Sequence, residues 1–340
     1  MKKQIISVIT LLIVLIIAGY YFFNASDDHL SDLNARNFKI EEIEKVDKIF
    51  LADSKGHQVT LTKDGTVWRV NGEYTARTKR IENLLITAQN LEVKQRVPKS
   101  KLETIIKTLI TKNIKAEFYQ NNELIKTYFV GNADGNTTGT YMLLIDEKSG
   151  ENYATPFTTH LLGFEGYLTP RYEPDPKTWR DLKLFYFPKN AIASVKLNYP
   201  ENPSESFEVK LKETDYKLYQ NGKVIPSNPI EIKKYLLNFK SISAERLVSD
   251  ETKDSLFTNL ENRKPWFTLS VTNLIGKTTT VKAYRKPMPP GSKNAIGMPL
   301  LFDPDRFYGV CFDNEMAILQ HFVFDPLLVK KSDLEWNTDI

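Results

Sequence analysis

The stretch IENLLITAQNL, residues 81–91, has the periodicity of an amphipathic helix and recurs later in the chain. Its apolar residues follow the spacing of one helix face: Ile81, Leu84, Leu85, Ala88 and Leu91. The stretch IKKYLLNFKSI, residues 232–242, has the same pattern 151 positions further on. The matching residues are Ile232, Tyr235, Leu236, Phe239 and Ile242. The shared pattern indicates that one helical segment of the fold occurs twice.

A second helical pattern repeats at the same offset of 151 positions. The correspondence pairs Ile105 with Leu256, Ile106 with Phe257, and Leu109 with Leu260. It weakens at the start of this helix, where Leu102 is matched by Lys253. One pair of similar helix faces is common, but two consecutive helices in one register predict an internal duplication.

Strand-like segments flank each predicted helix pair. Before the helices lie residues 58–62 and 66–70 in the first copy, and 207–211 and 216–219 in the second. After them lie residues 116–119, 124–130, 141–145 and 153–156, and then 266–272, 278–284, 307–312 and 316–320. The turn signals Asn71-Gly72 and Asn221-Gly222 stand at nearly the same offset. Each copy therefore has the predicted order β-β-α-α-β-β, loop, β-β.

The predicted fold class is α+β. Short hairpin connections favour antiparallel pairing, because a parallel crossover needs a dozen residues or more. We therefore expect an N-terminal transmembrane helix followed by two tandem repeats of an antiparallel sheet with helices on one face. The predicted divisions are an anchor at residues 1–24, a stalk at 25–45, a first repeat at 46–175 and a second repeat at 185–330. The boundary is expected between Tyr172 and Phe187, in a Pro-containing stretch.

Residues 5–23 form an uncharged run of 19 residues, of which 13 are Ile, Leu, Val or Phe. As a helix the run is about 28 Å long, close to the thickness of a bilayer's hydrocarbon core. Its apolar side chains favour insertion by about 4 to 8 kcal/mol. The run is therefore predicted to span a membrane and to contact its lipid.

The charges beside this run predict its orientation. Lys2 and Lys3 precede it, whereas Asp27, Asp28 and Asp32 follow it. The positive-inside rule then places the N-terminus in the cytoplasm and the body outside, as in a single-pass protein of the cell membrane with a periplasmic body. The competing interpretation is a cleaved signal peptide, which would have a shorter apolar core and small residues at the cleavage site.

Several scattered segments carry a family resemblance. They are residues 68–72 (WRVNG), 179–181 (WRD), Phe187-Pro188 with Ile192 and Val195, and 303–308 (DPDRFY). With the N-terminal anchor, these segments resemble a bacterial family of membrane-anchored proteins known as a domain of unknown function. The resemblance covers roughly Val46 to Val329 through loose, mostly apolar motifs. It implies a role beside ABC transporters of the gliding-motility type, and it supplies no catalytic residue.

Composition excludes several classes of protein. The net charge is +4, of which Lys2 and Lys3 supply two, and no dense Lys/Arg run forms the basic face that nucleic acid requires. Cys311 is the only cysteine, so neither an internal disulfide nor a multi-cysteine metal site can form. Position 311 is also too late for a lipoprotein cysteine. No nucleic-acid partner and no cofactor are predicted.

The candidate chemical groups all have simpler structural interpretations. His160 and His321 stand near the ends of the two copies, and Cys311 lies in an apolar strand. The Gly-rich loop at residues 131–139 contains Asp134 but lacks the ligand pattern of a calcium loop, so a hairpin connection is favoured. The acids that a hydrolase would use are Asp181, Asp303 and Asp305; each stands in a predicted turn with an arginine nearby.

The most distinctive loop is KPMPPGSK, residues 286–293. Its candidate partner-binding residues are Lys286, Pro287, Met288, Pro289 and Pro290. The alternatives are a disordered connection and a docking surface, since Pro-rich backbone has little ordering entropy to lose. In either case, deleting residues 287–292 is expected to leave the fold intact.

Three functions are compatible with these features. The first is a non-enzymatic accessory or scaffold subunit of an envelope complex, with a protein partner such as an ABC transporter. The second is a binding module for an envelope glycan or an exported substrate, held in a cleft between the two copies. The third is an extracytoplasmic hydrolase with its acids in a pocket. We expect the first, and therefore no enzymatic activity.

Overall fold

The computed structural model describes residues 35–145, 155–187, 191–248, 260, 263–312 and 314–336. They divide into two compact units, the first ending at Asp181 and the second beginning at Leu182. The predicted membrane span at residues 5–23 lies outside the described residues, as do residues 25–34 of the predicted stalk. No helix among the described residues is both long enough and apolar enough to cross a bilayer.

The first unit is built on a nine-stranded antiparallel sheet. Its strands are β1 (Lys48–Asp53), β2 (Gln58–Asp64), β3 (Val67–Val70), β4 (Tyr74–Thr75), β5 (Glu92–Arg96), β6 (Ile114–Gln120), β7 (Glu123–Ala133), β8 (Thr140–Leu144) and β9 (Phe157–His160). Helices α1 (Thr78–Asn90) and α2 (Lys99–Thr111) precede and follow β5, and the short α3 (Pro176–Trp179) ends the unit. The spatial order is β4-β3-β2-β1-β6-β7-β8-β9-β5.

The second unit repeats this plan. A two-stranded ribbon pairs β10 (Lys183–Phe185) with β15 (Ile242–Ser243). The main sheet contains β11 (Ile192–Asn198), β12 (Phe207–Lys212), β13 (Asp215–Gln220), β14 (Lys223–Ile225), β16 (Arg246–Leu247), β17 (Phe267–Asn273), β18 (Thr278–Pro287), β19 (Phe302–Cys311) and β20 (Glu315–Gln320). Helices α4 (Pro229–Leu237) and α5 (His321–Phe324) accompany it. Its order, β14-β13-β12-β11-β17-β18-β19-β20-β16, matches the first sheet strand for strand.

Burial along the first helix of each unit follows the 151-residue repeat. Ile81, Leu84 and Ala88 on α1 are buried, and Leu85 is half-buried. Their counterparts behave in the same way: Ile232, Tyr235 and Phe239 are buried and Leu236 is half-buried. The α+β class and the two large antiparallel sheets are therefore confirmed. In the second helical pattern, the matched residues Leu109 and Leu260 are both buried, whereas Leu256 and Phe257 lie outside the described residues.

The hairpin turn before each first helix is also shared. Asn71 and Gly72 join β3 to β4 with φ angles of 51° and 74°. Asn221 and Gly222 join β13 to β14 with φ angles of 48° and 79°. Two consecutive positive φ values define the tight turn that suits the right-handed twist of paired strands, and Asn-Gly is its preferred sequence. The same local chemistry therefore sets the same hairpin in both units.

The prediction that the helices lie on one face of each sheet is wrong. In the second unit, buried residues of α4 cluster with Ala317 and Leu319 of β20. Leu260 instead clusters with Met316 and Ile318, which alternate with them along the same strand. Because successive residues of a strand point to opposite faces, Leu260 packs on the face of the sheet opposite to α4.

The first unit has the same arrangement. Met142 and Leu144 of β8 belong to the core that contains α1, yet all five residues of this strand are buried, so its other face is covered as well. There α2 contacts β7 and β8, and a Cβ on Gly131 would be 2.6 Å from Leu109 Cδ2. The physical reason is β5, a strand that the sequence pattern did not reveal. It lies between α1 and α2 in the sequence and pairs with β9 at the edge of the sheet, so the chain can pass around that edge from one face to the other.

Other strands also differ from the predicted order, which had six per copy. The prediction lacked β1, β11, β5 and β16, together with the short β4, β10, β14 and β15. The strand predicted at residues 153–156 is misplaced: residues 153 and 154 lie outside the described part of the chain, and β9 begins at Phe157. Two- and three-residue strands are too short to give a period of two, so their pairing had no sequence signal.

Gly309 is expected to be sensitive to any added side chain. A Cβ at this position on β19 would lie 2.3 Å from Leu319 Cδ1, inside the buried core. We expect Gly309→Ala to lower the free energy of unfolding by about 1 to 3 kcal/mol, because the packed strand must shift. The matched control is Gly135→Ala, whose Cβ would meet only Lys101 Nζ at 3.9 Å. Urea unfolding should separate the two variants, and equal midpoints would refute this close approach.

Candidate functional site

The Pro-rich loop of the second unit forms an ordered hairpin between β18 and β19. We call residues 288–301 the arm. Its two sides are hydrogen-bonded to each other: Met288 N donates to Leu301 O at 3.0 Å, and Leu300 N donates to Ser292 O at 2.8 Å. Lys293 and Pro299 form an isolated antiparallel bridge. The disordered connection considered from the sequence therefore does not describe this segment.

Side-chain hydrogen bonds fix the two turns of the arm. Asn294 Oδ1 accepts from Ile296 N at 3.1 Å and from Met298 N at 2.9 Å. Nearer the base, Pro289 O accepts from both Ser292 N and Ser292 Oγ. Asparagine and serine side chains that bond to nearby backbone in this way stabilise turns without any packed core. The arm therefore holds its shape although most of its side chains are exposed.

The arm presents apolar side chains to solvent. Ile296, Met298 and Leu301 are exposed, and Phe302 at its base is partly so. From residue 285 to residue 302 the chain has three basic residues, Arg285, Lys286 and Lys293, and no acidic residue. Ordered backbone, exposed apolar groups and an excess of basic residues thus occur together on the arm and the end of β18. Single exposed apolar residues are ordinary, but several on one short ordered hairpin make it a candidate contact surface.

The base of the arm holds two ion pairs. Lys286 Nζ contacts Asp303 Oδ2 at 2.5 Å, across the β18–β19 pair. Asp303 Oδ1 accepts from Asp305 N at 2.9 Å and Arg306 N at 3.1 Å. Arg306 Nε in turn donates to Glu245 Oε2 at 2.8 Å. A small cavity of about 220 Å³ opens between these groups and the ring of His321.

The carboxyl of Asp303 is held in its charged form. Burial acts to raise its pKa, but the hydrogen bonds and charge of Lys286 and the two backbone N–H donors outweigh it, so the pKa lies below its ordinary value. A carboxylate that is ionised at neutral pH and already bonded to Lys286 and two backbone N–H groups is a poor proton donor or acceptor. This arrangement suits a structural ion pair that joins β18 to β19 at the base of the arm.

The three acids considered for hydrolysis are not gathered into one group within either unit. Asp303 and Asp305 lie in the second unit, and the side chain of Asp305 is exposed. Asp181 ends the first unit, where its backbone N–H donates to Thr75 O at 2.8 Å. The described residues contain no group of three or more His, Cys, Asp or Glu side chains able to hold a metal ion.

The remaining candidates have structural roles. Cys311 is buried, and burial raises the pKa of its thiol to about 12. Asp134 is also buried, and its Oδ1 accepts from Asn136 N and Thr138 N, which makes the Gly-rich loop a hydrogen-bonded hairpin connection. His321 contacts the ring of Phe307 at a centroid distance of 5.0 Å, and its Nδ1 lies 3.2 Å from Asp325 Oδ1.

The outer side of α2 is a surface that the sequence did not single out. Leu109 on this helix faces the sheet, whereas Leu102, Ile106 and Ile110 follow each other at intervals of four along another side. They line an open, mostly apolar groove of about 530 Å³, flanked by Lys99, Glu103, Lys107 and Thr111. We call Leu102, Ile106 and Ile110 the outer stripe. The four-residue spacing is visible in the sequence, but Ile106 also belongs to the repeated pattern with Ile105 and Leu109, which obscures it.

No family model matches the chain, and no curated protein or solved structure matches it either. The family resemblance noted from the sequence therefore stays a prediction. The geometry of the described residues is what supports a function.

The Lys286–Asp303 pair predicts a modest dependence of stability on pH. We expect Asp303→Asn to lower the free energy of unfolding by about 0.5 to 1 kcal/mol at neutral pH, since the amide keeps the backbone hydrogen bonds but loses the charge. Because the folded-state pKa is lowered, this stability is present above the ordinary aspartate value of 3.8 and is lost as pH falls toward the lowered pKa. Urea unfolding of both proteins across that range is the measurement. If the difference in the free energy of unfolding between the two proteins grew in acid, the stabilising role assigned to the Lys286–Asp303 ion pair would be contradicted.

Proposed function

We propose that this protein is a non-enzymatic accessory or scaffold subunit of an envelope complex, tethered to the cell membrane by residues 5–23. The uncharged run and the lysine pair before it support the tether and an extracytoplasmic body. The resemblance to transporter-associated relatives makes an ABC transporter the first partner to consider.

The observation that carries this proposal is the outer stripe of α2. A helix that lies on a sheet needs one apolar side, and α2 uses Leu109 for that purpose. Leu102, Ile106 and Ile110 are additional: Leu102 and Ile106 are half-buried, and Ile110 remains 59% exposed. Burying such a side chain in a partner gains about 1.5 to 3 kcal/mol.

The shape and charges of the groove define the partner segment. An apolar stripe at intervals of four residues, with charged residues beside it, is how one helix presents itself to another. Lys99, Glu103 and Lys107 alternate in sign along the edge of the groove. The partner segment is therefore an amphipathic helix with an apolar stripe and an acid-base-acid order along its matching edge.

The test is site-specific photo-crosslinking in native membranes. A photoreactive residue replaces Ile110 in one full-length variant and Ile86 in another. Ile86 on α1 is 51% exposed and is the matched control, since it lies outside the groove. We expect the Ile110 variant alone to crosslink to an envelope protein, and the charged variant Ile110→Glu to abolish stoichiometric capture of the same protein. Equal crosslinking from both positions, or capture unaffected by Ile110→Glu, would remove the support for this surface.

The tether has its own test. Carbonate extraction should leave the full-length protein in the membrane fraction, and a reporter fused to the C-terminus should be active only outside the cytoplasm. Release of an N-terminally shortened protein by carbonate would support the cleaved signal peptide instead.

A further inference from the structure

We infer that the arm is a lipid-contacting element: its exposed apolar side chains enter the interfacial region of a bilayer whose surface carries anionic headgroups. Ile296, Met298 and Leu301 supply the apolar contact, and Arg285 and Lys293 supply the attraction to lipid phosphates. Shallow insertion of apolar side chains combined with basic residues is the general mode of interfacial membrane binding.

The positive charge on this element is available to a ligand. The Arg285 guanidinium lies over the ring of Trp266 at 4.6 Å and of Phe302 at 5.6 Å, and within the described chain it has no carboxylate partner. Lys293 also has no carboxylate partner among the described residues, whereas the charge of Lys286 is neutralised by Asp303. The positive charges of Arg285 and Lys293 are thus not balanced by a carboxylate, and Arg285 is oriented by stacking on aromatic rings.

A second element adds to the apolar surface at the same end of the sheet. β20 runs antiparallel to β19, and Gln320 at its end pairs with Arg306 near the base of the arm. The chain then continues into α5, where His321 lines the basal cavity and the side chain of Phe322 is exposed. Phe322 therefore belongs to the end of the second unit that carries the arm.

The shape of the arm favours lipid over a protein partner. Its apolar side chains stand on a hairpin whose residues are mostly exposed, so a protein would need a matching cavity to bury them, whereas a fluid bilayer adapts to the shape of the hairpin. Because the hairpin is already ordered by its own hydrogen bonds, contact costs little conformational entropy. The inference rests on the proposed function in one respect, since the tether is what keeps the body close to a bilayer.

The opposite end of β18 supplies a matched control position. Ile275, in the turn between β17 and β18, is 87% exposed, and Ile296 is 78% exposed. Both are isoleucines at hairpin tips, but the Ile275 turn lies at the far end of the same strands. Cys311 is buried and its thiol pKa is raised to about 12, so a cysteine introduced at either tip is labelled selectively.

The experiment uses the full-length chain with Ile296→Cys or Ile275→Cys, labelled with an environment-sensitive fluorophore. Each protein is placed in nanodiscs of phosphatidylcholine, with or without phosphatidylglycerol, that contain lipids with a nitroxide on the acyl chain. In anionic discs we expect the Ile296 label to be quenched about threefold more than the Ile275 label. The double change Arg285→Gln and Lys293→Gln should reduce that excess, and so should omission of phosphatidylglycerol.

Equal quenching at both tips would overturn the inference. It would also be overturned if the fluorophore at position 296 stayed unquenched while a photoreactive residue at the same position crosslinked to a protein in native membranes. Failure of the tether is recognised separately, because the chain would then not remain with the disc. The labelled chain would in that case be mixed with anionic vesicles of the same lipids. Quenching at Ile296 but not Ile275 would still support the arm, and quenching at neither would overturn it.

Discussion

Replacing Trp179 with alanine is expected to remove about 3 to 5 kcal/mol from the stability of the first unit. The indole is fully buried at the end of the unit, and its Nε1 donates to Glu173 O at 2.6 Å. The guanidinium of Arg80 lies over the ring, 5.0 Å from its centroid. The substitution therefore leaves a large cavity, an unpaired carbonyl and an arginine that has lost its aromatic partner.

Trp336→Ala is the matched control for this change. The side chain of Trp336 is exposed, so the same loss of an indole should alter stability by less than about 0.5 kcal/mol. Urea unfolding followed by circular dichroism, together with hydrogen exchange of the first-unit strands, measures both variants. If Trp179→Ala cost no more than Trp336→Ala, the packing described for this residue would be incorrect.

Replacing Phe307 with alanine is expected to have a comparable effect, about 3 to 5 kcal/mol, in the second unit. This fully buried ring on β19 is surrounded by other rings. Its centroid lies 5.7 Å from both Phe267 and Trp266, 5.4 Å from Phe324 and 5.0 Å from His321. Most of these pairs meet edge to face, the arrangement in which aromatic contacts add about 0.5 to 1.5 kcal/mol each beyond simple burial.

The chain offers a control for Phe307 as well. Phe322 lies close by in sequence but is 90% exposed, so Phe322→Ala should change the free energy of unfolding by less than about 0.5 kcal/mol. Thermal or urea unfolding compares the pair directly. The aromatic cluster would lose its assigned importance if both phenylalanines tolerated the change equally.

The repeated helix face was predictable because burial on a helix leaves a periodic trace. Ile81 and Ile232 stand at equivalent points of two such traces, and both are buried. The Asn-Gly turns were predictable for a local reason too, since few other residue pairs accept two positive φ values.

The faces on which the helices lie were not predictable in the same way. β5 has the sequence EVKQR, and its residues are half-buried or exposed, so it gives neither an apolar run nor a clear alternation. Such a strand pairs at the sheet edge through its backbone, which any sequence can provide. Without it, the two helices appeared consecutive and were assigned to one face.

The candidate surfaces were only partly visible in the sequence. Lys286 and Asp303 are 17 positions apart and meet because β18 and β19 are neighbours, which depends on the pairing register. The order of the arm depends on Asn294 bonding to its own backbone, a short-range effect that composition does not reveal. The outer stripe on α2 was obscured because two apolar sides of one helix overlap in a periodicity pattern.

The short outermost strands of both sheets bear on solubility. β4 and β16 have two residues each and β14 has three, while β5 is longer but carries Glu92, Lys94 and Arg96. Unpaired strand edges recruit strands from other molecules, and brevity and charge are the usual protections. Short and charged edge strands would therefore let many copies of this chain be concentrated together without joining edge to edge into fibrils.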